Sequence, residues 1–501
     1  MSPYLIIALI AVYFGVLLLV AHFTSRGADN DSFFTGNKKS PWYLVAFGMI
    51  GASLSGVTFI SIPGWVGNPD NQFSYMQVVF GYLIGYIIVA YVLMPIYYRM
   101  NLTSIYSYLQ ERFGFYSHKT GAIFFLGSRL LGASIRLLLV ANVLQLFLFD
   151  GLNVPFEVTV FLSIALIWVY TNKGGIKTII WTDTLQTFFM IAAVLVMCYV
   201  IIGELDLREE GVISTIKNSP YSRIFFFDDW FEKNYFWKHF LGGIFIAIGM
   251  TGLDQDMMQK NLSCKNIKDA QKNMMSFAVI LVFVNLIFLA LGALLYIYAG
   301  KTGIGAGVSG DDLFATIAMN PKTGLFIGVL FLIGSIAAAY SSADSALTAL
   351  TTSFSHDIFN FDKKSPAEQL KLRKNVHVFV SLLLLVIIIV LKYTTTMSAI
   401  GQIMFFAGFT YGPLIAMFFF GILSKRSLND KLVPVMCLVA VGLTIVLWYF
   451  SAGGPGAVGT IENPTGVFGQ YKIGFELIIL NSLLTYASLF LISKKKVEAL
   501  N

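Results

Sequence analysis

The sequence predicts an all-α membrane protein with about thirteen transmembrane helices. Three observations carry this reading. Of 501 residues, 57% are apolar and only 12% are charged, and the mean hydropathy is +0.74. A soluble domain carries about a quarter charged residues. The apolar residues form runs of about 20, the length that spans a bilayer core. The basic residues gather in short connections between those runs, so the net charge of +7 does not indicate a nucleic-acid partner. The three cysteines are scattered, which argues against a disulfide framework.

The expected spans run roughly 3–23, 41–66, 73–98, 120–148, 156–171, 178–203, 236–259, 273–299, 323–354, 375–391, 397–424, 432–451 and 473–493. The first has no basic leader and no small-x-small pattern before Arg26, so it reads as a retained helix rather than a cleaved signal. No soluble domain is expected, and 1–501 reads as a single transmembrane unit. With the N-terminus outside, 23 Lys and Arg fall in inner loops against 9 in outer loops. That asymmetry places the C-terminus in the cytoplasm and the chain in the inner (plasma) membrane.

Two cations remain inside a span. Arg129 and Arg136 are seven residues apart, hence on one face of the fourth helix. Charge at membrane depth is costly and faces a partner or a cavity. Arg136, nearer the middle, is the better candidate for function. The acids well inside apolar runs are Asp183, Asp254, Asp256 and Asp344. The five histidines sit near span ends, without the clustering of a metal hydrolase, and no Walker A pattern is present. An ion gradient is the remaining energy source, and no enzyme activity is expected.

Two spans read as broken. The second carries Gly51, Ser53, Ser55, Gly56 and Thr58 in one stretch, and the seventh reads Gly249-Met-Thr-Gly-Leu-Asp-Gln-Asp256. Glycine weakens helices, and small hydroxyls satisfy freed backbone groups in the membrane. These spans open two five-span blocks, 41–203 and 236–424, of opposite orientation. Interrupted helices at matching positions in two halves point to a transporter binding site. In the ninth span, Ser341 and Ser345 share a face flanked by Ser342 and Asp344. Hydroxyls, free carbonyls and a carboxylate suit a small hard cation.

Four passages together resemble the sodium:solute symporter family across roughly 30–425. They are Asn172-Lys-Gly-Gly through Thr182-Asp183 to Gln186, Asp254-Gln-Asp-Met-Met-Gln-Lys260 with Lys260 in place of the usual Arg, Ala338 to Ser345, and the Tyr411-Gly-Pro-Leu414 turn. The resemblance implies a LeuT-like core of five plus five inverted helices, one extra N-terminal helix and two C-terminal ones (432–493). It implies a sodium site of the Gly51, Leu54 and Ala338 carbonyls with the Ser341 and Ser342 hydroxyls. It also implies a second sodium site at Asp183, Asp344 and Ser345, where Asp344 replaces a hydroxyl. There Asp344 would bind sodium, carry a proton or pair with Arg129. By position, Ser55, Thr58, Gln77, Arg136, Asp254 and Asp256 would line the solute site.

The expected activity is sodium-coupled symport of a small polar solute (a sugar, sialic acid or other carboxylate) by alternating access, in a lipid bilayer and as a monomer. Proton coupling through Asp183 or Asp344 is the first alternative. The second is a solute sensor, disfavoured because no signalling domain follows the last span.

Overall fold

The computed structural model describes residues 3–27, 29–207, 211–308, 310–394, 399–459 and 464–495, without the side chains of 3, 4, 172–174, 459 and 464. Arg208 and Lys496, counted above among loop cations, lie outside these. The principal helices are α1 (Pro3–Thr24), α2 (Trp42–Trp65), α3 (Tyr75–Arg99), α4 (Phe115–Leu144), α5 (Phe156–Thr171), α6 (Gly175–Glu204), α7 (Phe236–Gly252), α8 (Gln255–Leu262) and α9 (Ile267–Thr302). They continue with α10 (Asp311–Met319), α11 (Leu325–Ser353), α12 (Pro366–Thr394), α13 (Ala399–Leu423), α14 (Val433–Tyr449) and α15 (Leu477–Leu491).

Among the described residues, ten helices are long and apolar enough to cross a membrane, and the bent pair α7–α8 makes an eleventh. The fifth and thirteenth expected spans correspond to shorter apolar helices, α5 and α15. At 1.5 Å per residue, the 15 residues of α15 rise about 23 Å, less than the roughly 30 Å hydrocarbon core. Among the described residues, ten or eleven helices are therefore of full spanning length, and the exact count of thirteen is not confirmed. Composition marks a run as apolar, but helix ends decide its reach.

Burial separates core from periphery. The apolar stretch of α2 is 89% buried, against 28% for α1 and 22% for α14. Helix α2 packs against α6, α9 and α11, so the broken span stands at the centre of the molecule. Small residues allow this close approach. A Cβ on Gly51 would lie 2.1 Å from Thr187 Oγ1 of α6, and the Gly51 N–H donates to that oxygen at 3.1 Å.

The expected Tyr-Gly-Pro-Leu turn is not a turn. Tyr411 to Leu414 lie inside α13, with Pro413 buried. Proline has no N–H for the carbonyl four residues back. Asn481 of α15 supplies the missing donor, to Phe409 O at 2.8 Å and Gly408 O at 3.0 Å. A buried amide on a neighbouring helix thus keeps the proline helical. Just after α15, Ser493–Lys494 pairs antiparallel with Ser427–Leu428.

Candidate functional site

Both expected breaks are present. In α2, Ser55 has φ 57° and ψ 176°, a left-handed excursion that interrupts the helix. Such a break deprives carbonyls just before it of their regular i+4 partners. Ser342 of α11 meets one of them, donating to Ala52 O at 3.2 Å. In the seventh span, α7 and α8 meet at a 63° bend around Leu253 and Asp254. The carbonyls freed there are satisfied from outside the helix: Tyr97 donates to Gly252 O at 2.9 Å and Tyr106 to Leu253 O at 2.8 Å. Asp254 caps α8, its Oδ1 accepting from Asp256 N at 3.0 Å.

Ser341, Ser342, Asp344 and Ser345 are all buried on α11, with Ala338 a turn earlier. Ser341 Oγ donates to Asp183 Oδ1 at 2.7 Å, and Ser345 Oγ donates to Asp183 Oδ2 at 3.2 Å. With its proton held by Asp183, the Ser341 hydroxyl keeps its lone pairs for another partner. Asp344 does not join this group: its Oδ2 accepts from Tyr170 at 2.8 Å. Nor does it meet Arg129, one of the pairings open to it from sequence.

The acids of the seventh span pair instead with cations. Arg129 hydrogen-bonds Asp256 and lies 3.8 Å from Asp254 Oδ2, which also accepts from Tyr411 at 2.6 Å. Gly249 admits that tyrosine: its missing Cβ would stand 2.9 Å from Tyr411 Cβ. Lys260 is not the loop cation it reads as in the sequence. It is 1% exposed, with Nζ 2.8 Å from Asp183 Oδ2 and 3.7 Å from Asp256 Oδ1.

Beside the α2 break lies a cavity of about 80 Å³, room for several waters. Of the residues expected at the solute site, Ser55, Thr58 and Arg136 line this cavity. Asp254 and Asp256 do not, because Arg129 stands between them and the cavity. Gln77 does not either. Its amide donates to Asn234 O at 3.0 Å and lies 3.2 Å from His239 Nδ1, and its carbonyl accepts from Phe226 N at 3.1 Å. Gln77→Ala is therefore expected to destabilise the fold by roughly 2–3 kcal/mol, from three buried hydrogen bonds at about 1 kcal/mol each. Thermal melting beside a solute titration checks this, with half-saturation expected to change less than threefold.

Sequence reading missed Tyr75, Tyr82, Thr251 and Asn285 in the lining. A signal existed for the last: Asn285 is a lone amide in a long apolar run. The tyrosines recur at helical spacing in α3, but tyrosine on an apolar face carries no distinctive mark.

Arg136 is the unusual charge. It is 6% exposed and faces the cavity, and among the described residues no carboxylate forms an ion pair with it. An unpaired buried cation costs free energy unless a ligand neutralises it.

Two broken helices meeting at a polar, membrane-buried cavity define an alternating-access secondary transporter. Residues 33–431 match the sodium:solute symporter family, and the chain belongs to that family. It is similar to the sodium/sialic acid symporter NanT of Aliivibrio fischeri, 26% identical over 461 residues, covering 89% of this chain and 87% of that protein. The sodium/sialic acid symporter SiaT of Proteus mirabilis is 25% identical, covering 83% of this chain and 85% of that protein. The human sodium/iodide cotransporter is 24% identical, covering 88% of this chain and 68% of that protein. A substrate-bound, outward-open sodium-coupled sialic acid symporter has the same fold, with a TM-score of 0.81, 21% identity, and coverage of 98% and 99% of the two chains. The chain is thus a multi-pass membrane symporter of LeuT-like fold that couples sodium to a small solute, and not an enzyme.

Proposed function

We propose that the solute is a small carboxylate-bearing molecule, such as a sialic acid, held through its carboxylate by Arg136. The observation that carries this is that, of the two guanidinium groups lining the cavity, Arg129 has two carboxylates while Arg136 forms no ion pair among the described residues. A planar guanidinium binds a carboxylate through two parallel hydrogen bonds. Ser55, Thr58 and Asn285 offer groups for the hydroxyls or amides of the same solute.

Sodium sits at the α2 break, on the Gly51, Leu54 and Ala338 carbonyls and the Ser341 and Ser342 hydroxyls. Ser342 reaches across to α2. A cation bound here ties the broken helix to α11 and shapes the cavity wall that Ser55 and Thr58 supply. The chain lies in the inner (plasma) membrane as a monomer, with its N-terminus outside and its C-terminus in the cytoplasm. Residues 41–203 and 236–424 form the two inverted repeats. Inward movement of one charge across 100 mV contributes roughly 2.3 kcal/mol, and a tenfold sodium gradient about 1.4 kcal/mol.

Uptake by proteoliposomes tests this. With sodium outside, N-acetylneuraminate or a simple monocarboxylate is expected to accumulate, and the neutral sugar galactose is not. Equal uptake of galactose sinks the carboxylate assignment. Uptake unaffected when choline replaces sodium sinks the coupling site.

A further inference from the structure

The place of the expected second sodium site already holds a positive charge. Asp183 is 1% exposed, and both of its oxygens are engaged. Oδ1 takes the Ser341 hydroxyl at 2.7 Å; Oδ2 takes the Ser345 hydroxyl at 3.2 Å and the Lys260 ammonium at 2.8 Å. The third expected ligand, Asp344, is turned to Tyr170. An ion seated at Asp183 would lie next to the ammonium, in a buried region of low dielectric where the repulsion is strong.

We infer that the Lys260 ammonium is a tethered cation standing in place of a second sodium ion at Asp183, so that the chain binds and couples one sodium per solute. This inference rests on the sodium-site reading above. Lys260 projects from α8, the half-helix after the break, and touches Asp183 of α6 while remaining 3.7 Å from Asp256. A compact ammonium with three donors serves as such a point charge, whereas a guanidinium is a broad planar fork. The ammonium holds the Asp183 carboxylate in position. Asp183 in turn holds the proton of Ser341, which leaves that hydroxyl's lone pairs for the remaining sodium. Lys260 is accordingly a positioning residue for Ser341.

The test counts radioactive sodium bound per purified full-length chain at equilibrium, without solute, together with the midpoint of sodium-dependent thermal stabilisation. The unaltered protein is expected to bind one sodium with a Hill slope of one. Lys260→Gln removes the tethered charge and leaves Asp183 without a cation, and is expected to bind two. Ser345→Ala is expected to keep the count at one, with a midpoint within twofold. A count of two in the unaltered protein, a count of one in folded Lys260→Gln, or weakened sodium binding in Ser345→Ala overturns the proposal. Where Lys260→Gln does not fold, the unaltered count and Ser345→Ala decide. Ser342→Ala separates the two readings: sodium binding that survives it refutes the α2–α11 site and leaves the role of Lys260 to the counts.

Discussion

Arg136→Met is expected to abolish carboxylate binding and, at the same time, to raise the melting temperature of the solute-free protein. The two effects have one cause. Arg136 is buried in the cavity wall with no ion-pair partner among the described residues. An apolar side chain of similar length fills the same space without that unpaired charge. Truncating one partner of a buried, hydrogen-bonded charge pair costs roughly 2–5 kcal/mol. The concentration of N-acetylneuraminate for half-maximal stabilisation is therefore expected to rise about 30-fold or more. Arg136→Lys keeps the charge but loses the two-pronged contact, and is expected to fall between the two. A variant that lost binding and also melted lower would mark Arg136 as a structural residue. Arg129→Met supplies the contrast: it strips the cation from Asp254 and Asp256, and is expected to lower stability sharply.

Ser342→Ala is expected to raise the sodium concentration for half-maximal uptake at least tenfold, equivalent to about 1.4 kcal/mol. It removes the hydroxyl that bridges to Ala52 O across the α2 break. Potassium-containing buffer provides the baseline, since the variant's residual uptake is expected to approach it. Solute affinity at saturating sodium is expected to recover, because Ser342 does not line the cavity. Sodium titrations of uptake in proteoliposomes measure both. A normal sodium midpoint would place the ion elsewhere.

Much of this was legible in the residues. The positions of Gly51, Ser55 and Gly249 mark the breaks because glycine and small hydroxyls are poor helix formers at membrane depth. Arg129 and Arg136 stand out because charge is rare there. What the residues leave open is pairing. Arg129 has four buried acids to choose from, and the 63° bend brings Asp254 and Asp256 to it while Asp344 goes to Tyr170. Lys260 reads as a loop cation because it follows the apolar run, yet α8 turns back into the protein and carries the ammonium to Asp183. Gln77 reads as a cavity residue by position, but its amide is used to hold the 226–239 connection.

By itself, then, the sequence determined the membrane class, the family, the broken helices and the candidates for cation binding. These follow from local properties: apolar run length, helix propensity, and the cost of charge in hydrocarbon. The tertiary structure alone decided which cation faces which acid, that Arg136 pairs with none among the described residues, and that Pro413 stays helical. Those outcomes depend on contacts between residues more than 60 positions apart, which arise only once the bend, the close glycine contacts and the neighbouring helices have set where each polar group points.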